Sequence, residues 1–165
     1  KSRRYDGNVR VIVDTNIIVS GLISPTGPPG KIVDALLQGF LVPVMSPSTL
    51  AELEAVLMRP RLRTLFERAG VEAMEFLAEF RELAEIIEPD PTDIPVRDKN
   101  DRIFLELAAA RPPVDFLITG DRDFEQKQYA DVPVIFAALF VKTILLNAPD
   151  LRVSSHWEGV SVYCW

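Results

Sequence analysis

Residues 9–16 read Val-Arg-Val-Ile-Val-Asp-Thr-Asn. Val9, Val11, Ile12 and Val13 make a short, nearly continuous β-branched run, the composition of a strand buried on both faces. The run stops abruptly on a polar trio, Asp14-Thr15-Asn16. Residues 9–14 therefore read as a strand with an acid at its carboxyl end, where open parallel sheets bind their ligands.

Working outward, the same punctuation recurs. Thr26 to Gly30 reads as a loop, and Ile32, Val33, Leu36 and Leu37 follow at helical spacing until Gly39 stops them. Leu41 to Met45 is a second apolar run. Ser46-Pro47 then signals a helix start, with Ser as cap and Pro at the first helical position, and Leu50, Leu53 and Leu57 give that helix an apolar stripe. Pro60 interrupts it, and a basic segment around Arg59, Arg61 and Arg63 comes next. Val71 to Ala84 predicts an amphipathic helix with Phe76, Leu77, Phe80 and Leu83 on its apolar face. Ile86-Ile87 reads as a short strand, and Pro89, Pro91 and Pro95 stiffen a polar loop. Asp98 is placed as the cap of a helix carrying Ile103, Phe104, Leu107 and Ala108. Val114 to Ile118 is a third clear strand, ending on Thr119-Gly120-Asp121-Arg122-Asp123. Val132 to Ile135 is a fourth strand and Phe136 to Leu146 a final helix. Apolar strands alternating with helices predict an α/β fold of three layers, α/β/α, around a mostly parallel sheet. One domain is expected over residues 1–148. Residues 149–165, with His156, Trp157, Tyr163 and Trp165, form a tail without a defensible period.

Bulk properties agree. A chain of 165 residues suits one globular domain and buries about 70% of its unfolded surface, so it needs no covalent staple. With 48% apolar and 25% charged residues, neither disorder nor a membrane protein is favoured. The longest apolar runs fall short of a membrane span. The first ten residues are charged and polar, unlike a signal peptide, and the missing initiator Met suggests a trimmed or tagged N-terminus. The single cysteine, Cys164, cannot close an intrachain disulfide, which points to a reducing compartment, the cytoplasm. A net charge of −6 argues against a chain-wide nucleic-acid-binding surface and leaves room for a local one.

Four acids occupy matching places. Asp14 and Asp121 fall just past strand ends; Glu52 and Asp101 fall early in helices that start from the same rim of the sheet. Each alone has an ordinary structural explanation. Asp14 suits a cap, Asp101 and Asp121 suit a first helical turn, and Glu52, close to Glu54, suits a solvated helix face. Together they can converge. Hard divalent cations prefer carboxylate oxygens, and clustered acids repel one another until a cation joins them. A metal so held activates water and stabilises charge on a phosphate. With one His and one Cys in the chain, zinc is not favoured.

The ordered set Val11-Ile12-Val13-Asp14-Thr15-Asn16, Glu52-Leu53, Asp98-Lys99-Asn100-Asp101 and Ile118-Thr119-Gly120-Asp121-Arg122-Asp123 resembles the signature of the PIN-domain family, over about residues 9–136. Within it the chain looks like the VapC-like toxins of toxin–antitoxin pairs. The resemblance implies a sheet with helices on both sides and a ribonuclease dependent on Mg²⁺ or Mn²⁺. It assigns Asp14, Glu52, Asp101 and Asp121 as metal acids, Asp98 and Asp123 as supporting acids, and Asn16 and Thr119 as residues that orient the site by hydrogen bonds. It also implies an RNA substrate, a cognate antitoxin and, frequently, a homodimer. The aromatic tail and residues 59–85 match no motif of the family.

Arg97, Lys99, Arg102 and Arg122 flank the proposed site and are candidate RNA-phosphate contacts. Arg59, Arg61, Arg63 and Arg68 read more readily as a solvated face. Gly27 to Lys31 lacks the phosphate-loop pattern, and Pro28 and Pro29 have no N–H to offer a phosphate. A serine triad has no supporting motif. Two further classes compete with the nuclease. One is a catalytically inactive PIN-like interaction module, suggested by the acidic balance and the aromatic tail. The other is a phosphotransfer or phosphatase domain with Asp14 as nucleophile, weakened by the lack of a second nearby Asp in Asp14-Thr-Asn-Ile-Ile18.

Overall fold

The strand-helix alternation resolves into a six-stranded sheet of order β3-β2-β1-β4-β6-β5. The computed structural model describes residues 9–91, 99–120, 128–129 and 131–146, with residues 99–101 and 128–129 described by backbone alone. The strands are β1 (Val9–Val13), β2 (Leu41–Met45), β3 (Glu85–Ile86), β4 (Phe116–Thr119), β5 (Gln128–Tyr129) and β6 (Val132–Phe136). Every pairing is parallel except β5 with β6. The short antiparallel β5 was not expected from the sequence: two residues carry no periodicity to read.

Side-chain alternation along the strands builds two cores. Val9, Val11 and Val13 of β1 and Phe116 and Ile118 of β4 enter a large cluster, while Ile12 and Leu117 point to a smaller one. The large cluster gathers α1 (Thr15–Ile23), α2 (Pro28–Leu37), α3 (Pro47–Leu57), α4 (Pro60–Ala69), α5 (Ala73–Leu83) and α7 (Ala137–Phe140). On the other face, α6 (Lys99–Ala109) contributes Phe104, Leu107 and Ala108. The expected three layers are therefore present, and the central strands β1, β2 and β4 are almost wholly apolar because both their faces are covered.

Helix ends follow local chemistry. Ser46 and Thr49 form a reciprocal capping box at the start of α3, with Pro47 in the first turn. Gly39, at φ +83°, ends α2: its N–H donates to Leu36 O and that of Phe40 to Ala35 O, a Schellman motif that needs the left-handed backbone. Pro28 to Gly30 belong to the first turn of α2 rather than to the loop expected there, because Pro suits the first helical positions, where no N–H is needed. The basic segment after Pro60 is the helix α4 for the same reason. The last helix begins as α7 and continues in π geometry over Val141–Leu145.

Helix α1, absent from the sequence-based expectation, is the structural novelty at the site. Thr15–Ile23 is apolar nearly all round, with Ile17, Ile18, Val19 and Leu22 buried, so it offers little of the amphipathic contrast that marks a surface helix. It lies hard against α2. A Cβ added at Gly21 of α1 would sit 2.5 Å from Pro29 O and 2.7 Å from Val33 of α2, and one at Gly30 would collide with the backbone of Pro25 in the connection between the two helices. That close approach fixes the helix whose N-terminus carries Asp14.

Candidate active site

Strand β1 sits between β2 and β4 in the sheet. Chain connections leave β1 in opposite directions, so the carboxyl ends of β1 and β4 form the topological switch point, where crevices open in parallel sheets. Asp14 leaves β1 at this point. Its backbone N–H donates to Ile118 O at 3.0 Å, continuing the β1–β4 ladder one residue beyond the strand and pinning the acid at the rim.

Asp14 is the N-cap of α1, as its structural explanation proposed, with Oδ1 accepting the Asn16 N–H at 3.2 Å. Capping engages one carboxylate oxygen and orients the other. The Thr119 hydroxyl, at the end of β4, donates to that second oxygen, Oδ2, over a long 3.5 Å. Asn16 thus acts on Asp14 through its backbone, and its side chain is exposed.

Glu52 comes from the second turn of α3, half-buried, and accepts the Thr15 hydroxyl at 2.8 Å. Thr15 is buried and is the first residue of α1, directly after Asp14. Asp14 and Glu52, far apart in sequence, are therefore linked at the start of α1: Glu52 accepts from Thr15, the residue that follows Asp14. Glu54 behaves differently. It faces Arg81 of α5 at 3.6 Å in an exposed pair, which is the ordinary surface role that also applied to Glu52. Sequence reasoning assigned no role to Thr15. Its signal was its place inside the polar trio, where a hydroxyl flanks the acid.

Asp101 is the third residue of α6, a helix that packs on α3 and β1; its side chain and that of Lys99 lie outside the described residues. Asp98, Arg97, Asp121, Arg122 and Asp123 lie outside them too, with Asp121 following Thr119-Gly120 in the chain. Arg102 is half-buried and engaged in interactions of its own. Among the described residues there is accordingly no group of three or more His, Cys, Asp or Glu side chains positioned to hold a metal. Asp14 and Glu52 fit such a role chemically: both offer carboxylate oxygens alone, the donor type of hard divalent cations. Arg59, Arg61, Arg63 and Arg68 are all exposed, and Arg63 pairs with Glu67 one turn on, at 3.6 Å, as expected of a solvated face. No helix among the described residues is long and apolar enough to cross a membrane.

A parallel sheet with a carboxylate pair at its switch point defines a class of α/β proteins whose chemistry sits at the strand ends. The PIN-domain family model matches residues 10–123. An uncharacterized protein of Methanocaldococcus jannaschii is 33% identical over 115 residues, covering 70% of this chain and 72% of the relative. The chain belongs to the PIN-domain family, whose members are generally nucleases that use divalent metals. Among solved structures, a crystal structure of VapBC2 from Rickettsia felis, bound to a DNA fragment from its promoter, resembles it with a TM-score of 0.48 at 18% identity, covering 78% of this chain and 98% of that one.

Proposed function

We propose that this chain is an endoribonuclease that hydrolyses RNA phosphodiester bonds with Mg²⁺ or Mn²⁺, and that Asp14, Glu52, Asp101 and Asp121 hold the metal. The observation that supports this reading best is the line of contacts Glu52–Thr15, Asp14–Asn16 and Asp14–Thr119 across the switch point, in a chain of a nuclease family. A bound divalent cation supplies an activated water and neutralises charge on the scissile phosphate. The protein's share is orientation. The Asn16 N–H and the Thr119 hydroxyl hold the Asp14 carboxylate in one plane, and the Thr15 hydroxyl fixes one oxygen of Glu52 and leaves the other free to turn to a ligand. Asp98 and Asp123 are supporting acids, and Arg97, Lys99, Arg102 and Arg122 are the proposed contacts to RNA phosphates. On the motif resemblance alone we extend the proposal to a toxin of a toxin–antitoxin pair in the cytoplasm, with a cognate antitoxin and a second copy of the chain as partners.

The test is cleavage of a single-stranded RNA in Mn²⁺ or Mg²⁺, with and without excess chelator. Asp14→Asn keeps the cap and removes the charge, so cleavage should fall on the order of 100-fold or more with an unchanged circular dichroism spectrum. Full activity in Asp14→Asn, or in excess chelator, overturns the assignment. Absence of Mn²⁺ binding by calorimetry would favour the inactive interaction module instead.

A further inference from the structure

The rim does not end at Thr119. Phe136, the last residue of β6, is the in-register parallel partner of Thr119. Asp14, Thr119 and Phe136 therefore follow one another across the carboxyl ends of β1, β4 and β6, at a strand spacing of about 4.8 Å, and Glu52 reaches the same rim from α3. Phe136 is 43% exposed and Leu139, one turn into α7, is 50% exposed. With Pro28, Pro29, Thr119 and Gly120 they line a cleft of about 610 Å³. That volume lies within the roughly 300–1,000 Å³ typical of small-ligand sites. Large apolar side chains of a buried-core protein are left half in water here, at the mouth of the switch-point crevice, and Thr119 belongs to both the cleft and the carboxylate site.

We infer that this cleft is a nucleobase subsite, in which an unpaired base of the RNA strand, next to the scissile phosphate, stacks on Phe136 between Leu139 and the Pro28-Pro29 turn. The inference rests on the nuclease reading above. Two arguments select a base as occupant. The first is position: Phe136 lies two strand spacings, about 10 Å, from the Asp14 position, within reach of a neighbouring nucleotide of a strand whose phosphate sits at the acids. The second is charge. A chain of net charge −6 gains little from general attraction to phosphates beyond the local basic residues proposed above, so a contact that does not depend on charge adds to strand affinity, and stacking of a base on an aromatic ring supplies one.

The test separates binding from cleavage. In the Asp14→Asn background, affinity for a short single-stranded RNA in Mg²⁺ is measured for Phe136, Phe136→Ala and Phe136→Trp. Phe136→Ala should weaken binding about tenfold. Phe136→Trp should restore it, with tryptophan fluorescence quenched on RNA addition, and an abasic nucleotide beside the cleavage position should reproduce the loss in the Phe136 protein only. Equal affinity for Phe136→Ala, in a chain whose wild type cleaves RNA, overturns the subsite and leaves the nuclease standing. Loss of self-association by Phe136→Ala at unchanged RNA affinity likewise overturns it, and assigns the cleft to a protein contact. A wild type that neither binds nor cleaves RNA removes both proposals.

Discussion

Arg10 and Asp14 lie four positions apart on the same strand exit and entry (14 − 10), yet the protein treats their charges in opposite ways. At the amino end of the sheet, Arg10 forms a two-pronged pair with Glu85 at 2.8 and 2.9 Å and donates to the carbonyls of Pro112 and Pro113 at 3.2 Å. Its own N–H meets the Asp115 carboxylate at 2.9 Å. Charge is matched there by opposite charge, in the planar geometry that suits a guanidinium. At the carboxyl end, the hydrogen bonds described for Asp14 and Glu52 come from hydroxyls and a backbone N–H. Such donors orient an acid and bring no opposite charge of their own. The first arrangement ties β1, β3 and the approach to β4 together; the second, in the described contacts, holds the Asp14 and Glu52 carboxylates in place at the rim, as the proposed metal site requires. On the proposed function, stability and catalysis are thus separated along one strand.

This contrast breaks most sharply with a matched pair of substitutions, Glu52→Gln and Glu85→Gln. Both remove one carboxylate charge and keep the shape. Glu52→Gln should lower RNA cleavage on the order of 100-fold with a melting temperature within a degree or two of wild type. Glu85→Gln should leave cleavage per folded molecule intact and lower the melting temperature. Equal effects of the two on cleavage, measured beside thermal unfolding, would erase the distinction between the ends of the sheet.

Arg10→Leu sharpens the same contrast from the other side. The Arg10 side chain is 21% exposed and Glu85 40%, so water screens part of the pair and the full value of a buried ion pair does not apply. Losing the fork and the two carbonyl contacts should cost about 1–3 kcal/mol, which is several degrees of melting temperature at about 2–4 °C per kcal/mol. Denaturant titration gives the free energy directly. A loss of cleavage out of proportion to the unfolded fraction would show that the clamp also shapes the distant rim.

How far the sequence disclosed this arrangement depends on the type of signal. Strands β1, β2 and β4 were legible because both faces are largely covered and each run is almost wholly apolar, and β6 because Val132-Pro133-Val134-Ile135 is a continuous apolar run although Pro133 and Phe136 are exposed. The Ser46-Pro47 start and the Gly39 stop were legible because caps are local chemistry. Helix α1 was not, since Thr15–Ile23 is buried on nearly all sides and lacks a polar stripe. For the acids, strand-end position marked Asp14, and helix phase alone could not separate Glu52 from Glu54. Only the third dimension does, by turning Glu52 toward Thr15 and Glu54 toward Arg81. The sequence pattern starts a helix at Phe136, and the residue's place at the rim depends on its register with Thr119, which no local pattern contains.

The smallest expected effect concerns Thr15, and it discriminates most finely between orienting an acid and supplying one. Thr15 is buried and its hydroxyl donates to Glu52 at 2.8 Å. Thr15→Val keeps the branched shape, so packing of α1 on its neighbours persists, and it removes the hydrogen bond described for Glu52. One neutral-to-charged hydrogen bond corresponds to about 1.5 kcal/mol, or roughly tenfold. If Thr15 is a positioning residue, the loss should appear as a higher Mn²⁺ concentration for half-maximal cleavage, and saturating metal should recover most of the rate, because Glu52 remains present and must only be drawn back into place. A tenfold loss that no metal concentration recovers would mean that the hydroxyl acts on the reacting atoms themselves. An unchanged metal dependence with full activity would mean that Glu52 needs no such support, and the link between the two acids through the start of α1 would then be packing alone.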